Sequence, residues 1–383
     1  MAKYRYYQTA LEKKQEGRQP RSASAFEEKS QRNQLNFASN DFLALSQHPH
    51  VKKNAIKYVL EWGVGVVPYR LTSGHLECQK NIEDKLADLV GKESALLFPS
   101  AYQIREQILP TLINNKATIF IDRFCHHELI QGALQSGAQV FRYEHNNLKQ
   151  LAALLEKTER GITKWIISES LFGIDGATLD LKKIVEIANT YEAFTFIDDS
   201  FSVGVFGKNG MGFSSNRKGI DVIFGSFGKQ RGTFGAYLAT THLLREYLLS
   251  FNPQLIEGAT LPPAVLGAIN GTLDLIPDMQ VERDKIEMLS KALRKMLEEN
   301  HWDVGRGESH LIPLICLHEK ECEKLSASLL KENILVGALR SPLVPQGAAR
   351  LHLSVNALHS EEDLFRLTDA LQSIKKEPSF SIV

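Results

Sequence analysis

Asp198, Ser226 and Lys229 are the residues whose types and spacing best suit chemistry. An apolar run, Phe194-Thr-Phe-Ile197, stops at Asp198-Asp199, and a second, Val222-Ile-Phe224, stops at Gly225-Ser-Phe-Gly-Lys229. Both read as short buried strands that end in polar groups. Side by side in one sheet, they bring a carboxylate and an amine to one crevice at the strand ends. A lysine there can hold an aldehyde cofactor covalently, and a carboxylate can keep a pyridine nitrogen protonated. Together they suit pyridoxal phosphate. Ser226, just before the lysine, is placed to hydrogen-bond the cofactor phosphate.

The elements around them alternate. Strand-like runs fall at Ala95–Phe98, Thr118–Ile121, Val140–Arg142, Trp165–Ile167, Phe194–Ile197, Val222–Phe224 and Gly235–Ala239. Helical periodicity fits 77–90, 127–136, 147–157 and 181–191. This predicts an α/β fold: a large domain with a mostly parallel seven-stranded sheet between helices, and a smaller C-terminal α+β domain. The expected boundaries are 1–46 for an N-terminal helix and strand, 47–275 for the large cofactor-binding domain, and 276–383 for the small domain. A helical region follows Pro262-Pro263 toward Asn300 with a break at Pro277. Ser360 before Glu361-Glu-Asp363 caps the last helix.

At 383 residues the chain exceeds a usual single core. Lys plus Arg equals Asp plus Glu at 45 each, so no net field attracts nucleic acid or an anionic membrane. Cys78, Cys125, Cys316 and Cys322 are scattered without a CxxC pair, so neither a disulfide framework nor a metal site is expected. The N-terminal segment has no apolar signal core, and no apolar run is long enough to span a bilayer. A soluble, cytoplasmic protein is the expectation.

Other motifs have plainer readings. Gly63-Val-Gly65 follows a helix-like run rather than a strand, and Gly225–Lys229 lacks Walker A spacing, so neither reads as a nucleotide loop. Asp175-Gly176 is a tight turn. His126, in a loop beyond the strand that ends at Asp122, can stack on a flat cofactor ring. His310, His352 and His359 have no partner at useful spacing and read as structural.

Ordered segments across most of the chain resemble the α-oxoamine synthase family of pyridoxal-phosphate enzymes, which share the aspartate aminotransferase fold. Asn36–Leu45 is similar to NFxSNDYLGL, Leu96–Tyr102 to LLFxSGY, Asp122–His126 to DRLxH, and His145-Asn-Asn147 to HND. Glu169–Gly176 resembles EGVFSMDG, Asp198–Gly207 resembles DDAHSVGVxG, and Gly225–Lys229 resembles GTFGK. Thr260–Pro263 and Gly347–Ser354 are similar to xLPP and GTARLRLS. The pattern is nearest to the 8-amino-7-oxononanoate synthases. That resemblance implies decarboxylative condensation of L-alanine with a pimeloyl thioester, carried by coenzyme A or a carrier protein, in biotin synthesis. Glycine C-acetyltransferase, serine palmitoyltransferase and 5-aminolevulinate synthase share the machinery, and a catalytically weak partner subunit is a further alternative.

The resemblance implies that Lys229 carries the cofactor and moves the substrate proton. It further implies that Asp198 faces the ring nitrogen and that His126 stacks on the ring. Ser226 and the backbone at Ser100, Ala101 and Tyr102 would meet the phosphate, with Gly173 and Phe201 also beside the cofactor. Arg350 would clamp the amino-acid carboxylate, and Arg18 and Arg340 would contact the acyl substrate. Thr260–Pro263 matches a segment that reaches a neighbouring subunit, which implies a homodimer. Several positions depart from the pattern: Phe201 replaces a histidine that donates to the cofactor's phenolic oxygen, Gly173 a serine, Ala101 a glycine, Arg105 an asparagine and Gln79 a histidine. Ala259 stands where a hydroxyl is expected.

Overall fold

The computed structural model describes residues 4–15, 34–65, 70, 75–230, 232–258, 260–341 and 343–376. Contacts divide it into two units, 1–35 and 36–383. The first contains helix α1 (Arg5–Gln15), with Tyr6 edge-on to Tyr7.

The second unit contains seven strands in one sheet: β1 (Ser94–Phe98), β2 (Thr118–Asp122), β3 (Gln139–Tyr143), β4 (Lys164–Glu169), β5 (Ala193–Asp198), β6 (Val222–Ser226) and β7 (Ala236–Thr240). Their order is β1-β7-β6-β5-β4-β2-β3, and only β7 runs against the others. The strands read as near-continuous apolar runs because helices cover both faces of a parallel sheet. Leu96, Ile119, Ile166, Phe196 and Ile223 are fully buried. Parallel strands must share a direction, so β1, β2, β4, β5 and β6 all finish at one edge, and the residues that follow them meet there.

The helices that matter for that edge are α2 (Glu77–Val90), a continuous helical stretch over 101–112 (α3), α4 (His127–Gln135), α5 (Leu181–Tyr191) and the short α6 (Phe227–Gln230). Within α3, Ile104–Ile108 form a π turn. Gly132 lets α4 lie against it: a Cβ there would sit 1.8 Å from the Arg105 carbonyl oxygen. Beyond the sheet, α7 (His242–Phe251), α8 (Pro263–Leu275) and α9 (Gln280–Glu299) lead to a three-stranded antiparallel sheet. It is built from β8 (Leu311–Leu317), β9 (Gly337–Leu339) and β10 (Ala349–Ser354), ordered β9-β10-β8. Helix α10 (Glu319–Lys331) packs on it, α11 (Glu361–Lys375) packs against α9 and α10, and α11 begins with a capping box between Ser360 and Asp363. Phe37 stacks on His359 at 4.1 Å and accepts the Ser354 N–H, joining the 36–47 segment to β10.

Candidate active site

Asp198 ends β5 opposite Glu169 of β4 and Phe224 of β6, and is almost fully buried. Its Oδ1 accepts the Ser200 N–H at 2.8 Å, while its Oδ2 accepts Arg105 Nη2 at 2.7 Å. The same guanidinium donates through Nη1 to Glu128 at 2.9 Å, lies 3.5 Å from Nδ1 of His126, and sits 5.0 Å over the Phe224 ring. Burial works against the Arg105 charge, but Asp198, Glu169 and Glu128 outweigh it and hold the group above its ordinary pKa. Asp199 turns the other way. It accepts the Ser214 N–H and hydroxyl, both at 2.9 Å, and pins the 199–214 loop. Burial pushes its carboxyl up to about 6 against those hydrogen bonds.

His126 caps α4, and its backbone N–H donates to Glu169 at 2.5 Å, which fixes the imidazole at the strand edge. Ser100 caps α3, its hydroxyl accepting the Gln103 N–H at 3.3 Å, so the first backbone N–H groups of that helix, at Ala101 and Tyr102, form an anion-binding end. Ser226 is buried at the end of β6, and Lys229 lies in α6 immediately after it. The Lys229 side chain, and residues Arg18 and Ala259, lie outside the described residues.

A cavity of about 750 Å³ opens at this edge. His126, Phe124 and Glu169 line one side of it, Gly173, Ile174 and Phe201 another, and Leu339, Leu343, Val344 and His352 close it from the three-stranded sheet. Gly173 and Phe201 interlock: a Cβ on residue 173 would sit 2.3 Å from Cε2 of Phe201. The glycine and the phenylalanine are therefore one packing solution.

Arg350 is not on the cavity wall. It donates to the backbone carbonyls of Ala348 at 3.0 Å and Ile174 at 3.3 Å. His352, read from the sequence as structural, does line the cavity. Arg340 pairs with Glu323, although its neighbours Leu339 and Ser341 line the wall. Behind the wall, His145 bridges Asp122 at 3.1 Å and Asp175 at 3.2 Å and stacks on Phe124. Burial opposes its charge, but the two carboxylates raise its pKa to about 9.

The chain belongs to the aminotransferase class I and II family, whose sequence profile matches residues 32–371. Its relatives place it in the α-oxoamine synthase branch, whose members are pyridoxal-phosphate enzymes. A Paramagnetospirillum magneticum relative is 36% identical over 88% of this chain and 87% of its own length. The 8-amino-7-oxononanoate synthase of Gluconacetobacter diazotrophicus is 34% identical over 90% and 88%. Among solved structures, the Sphingomonas wittichii serine palmitoyltransferase superposes with a TM-score of 0.85 at 23% identity, covering 90% of this chain and 87% of that one. The 8-amino-7-oxononanoate synthase of Francisella tularensis gives 0.79 at 23%, covering 90% and 98%.

The residues present fit the cofactor of that family. A helix N-terminus, a buried carboxylate, an aromatic edge group and a lysine position after β6 share one sheet edge. The hydroxyl of Ser200, two residues beyond Asp198, is buried with no partner among the described residues. At Gly173 and Phe201 no side-chain donor remains for the phenolic oxygen.

Proposed function

We propose that this enzyme condenses an amino acid with an acyl thioester, releasing carbon dioxide and the free thiol. L-Alanine and a pimeloyl thioester, in biotin synthesis, are the pairing its relatives' names support. The observation that carries this reading is the meeting of Asp198, the α3 N-terminus and the turn bearing Lys229 beside a cavity with an apolar wall. Bound there, pyridoxal phosphate supplies an electron sink for charge at the substrate carbon. The chain does the rest. The α3 end and Ser226 would hold the phosphate, His126 would cover the ring, and Asp198 would face its nitrogen. Ile174, Leu339, Leu343 and Val344 exclude water and receive the acyl chain. Lys229 carries the cofactor and moves the substrate proton. His352 meets the amino-acid carboxylate from the wall, and Arg350 anchors the adjoining loop from the same strand.

A homodimer goes with this reading. Leu243, Tyr247 and Phe251 form an exposed apolar stripe at helical spacing on α7, with Tyr102 and Phe234 also exposed. No helix among the described residues is long and apolar enough to cross a membrane. We assign the enzyme to the cytoplasm. The Gly173–Phe201 pair favours a second reading, an oxoamine synthase with a different amino acid or acyl group.

The test is a panel of amino acids against acyl thioesters, with carbon dioxide and thiol release measured, after borohydride trapping of the cofactor. Trapping on the Lys229 peptide and turnover with L-alanine and pimeloyl thioester support the reading. A colourless protein that takes up no cofactor, or a label on another lysine, refutes the site. Turnover with another pair only moves the assignment to the second reading. Light scattering that shows an active monomer refutes the dimer.

A further inference from the structure

Arg105 is the unexpected residue beside Asp198. The resemblance puts a neutral asparagine there, whereas this chain buries a guanidinium with a side-chain exposure of 2%. Among the described residues, the charged and titratable groups near Asp198 are Arg105 from α3, the buried Cys125 just before α4, His126 and Glu128 at the start of α4, Glu169 from β4 and its own neighbour Asp199. Arg105 donates a side-chain hydrogen bond to it, at 2.7 Å. Glu128 engages the other end of the guanidinium, at 2.9 Å, and is partly exposed, so its charge is screened more than that of Arg105.

Resting on the cofactor reading above, we propose that Arg105 is a positioning residue that shares Asp198 with the ring nitrogen of the cofactor and lowers that nitrogen's affinity for a proton. A carboxylate has about four acceptor positions, so Asp198 can still accept from the ring. What changes is the charge nearby. A group hydrogen-bonded to the same carboxylate lies within about 5 Å of the guanidinium. At an effective dielectric constant of about 20, a unit positive charge at that distance shifts a protonation equilibrium by roughly a hundredfold relative to a neutral side chain. A ring that is less often protonated withdraws electrons less strongly, so negative charge stays nearer the substrate carbon. That favours prompt capture by an acyl group already bound.

The experiment binds pyridoxal phosphate, labelled with nitrogen-15 in the ring, to the wild-type protein and to Arg105→Asn and Arg105→Lys. The nitrogen signal is followed across pH, and the cofactor dissociation constant is measured for each. The ring nitrogen in Arg105→Asn should hold its proton to a higher pH, by roughly a hundredfold in proton concentration, and the cofactor should bind more tightly. Arg105→Lys, which keeps the cation, should resemble wild type. Identical titration of the ring nitrogen in wild type and Arg105→Asn overturns the proposal. So does Arg105→Lys behaving like Arg105→Asn, which would assign the effect to packing. Failure of wild type to bind the cofactor at all would overturn the cofactor assignment as well.

Discussion

His145 offers the sharpest test of how the cavity wall is held. It lies between Asp122 and Asp175, has 18% side-chain exposure, and its folded pKa of about 9 compares with 6.5 when free. A raised basic group stabilises the fold fully below pH 6.5, and that contribution is lost as pH rises through about 9. At 1.36 kcal/mol per unit, the shift is worth about 3 kcal/mol. Urea unfolding of wild type and His145→Gln at pH 6 and pH 10 isolates it from lysine and tyrosine titrations common to both. Wild type should lose about 3 kcal/mol more than the variant between the two values. Because Phe124 stacks on His145 and Asp175 adjoins Ile174, the cavity wall should loosen over the same range. Parallel losses in the two proteins would show that His145 is not charged in the fold, and the argument would fail.

Three further predictions follow from the packing. Arg70 and Glu83 form a buried pair at 2.6 Å, with Gln79 and the Leu97 N–H also on the carboxylate, so Arg70→Met should cost about 3–5 kcal/mol in urea unfolding. A loss under about 1 kcal/mol would mean the pair contributes little. Gly173→Ser should cost about 1–3 kcal/mol alone and measurably less beside Phe201→His, because the two side chains compete for one volume. Additive costs would refute the interlock. His352→Ala should raise KM for the amino acid with melting temperature unchanged, whereas Arg350→Ala, by freeing the Ile174 carbonyl, should lower both stability and affinity. An unchanged KM in His352→Ala would return the carboxylate to Arg350.

The sheet was legible because each strand is an apolar run cut off by a polar residue, and the helices 77–90 and 181–191 because their apolar residues recur at helical period. In the structure Gly91 closes the first in the left-handed conformation, and Asp180 caps the second. Helix 101–112 was not legible. Pro110 sits inside it, and its π turn displaces the apolar residues from the 3.6 period. Asp198 and Ser226 stand at the ends of strands, where the polar residues that stop each apolar run place them. Arg105 was noted as a departure, but its hold on Asp198 spans 93 residues and has no local signature. Arg350 and His352 share a face by strand period, and the sequence favours Arg350 as the clamp only because its guanidinium fork suits a carboxylate. The register shift between Ala349 and Arg350, and the nearby Ile174 carbonyl, distinguish them in the folded chain.

The interlock of Gly173 with Phe201 also bears on how the cavity can be altered. The ring of Phe201 fills the space a side chain at 173 would need. The two positions are therefore coupled: any side chain at 173 needs the Phe201 ring to move or shrink, so the near wall of the cavity can be reshaped there only by changing both.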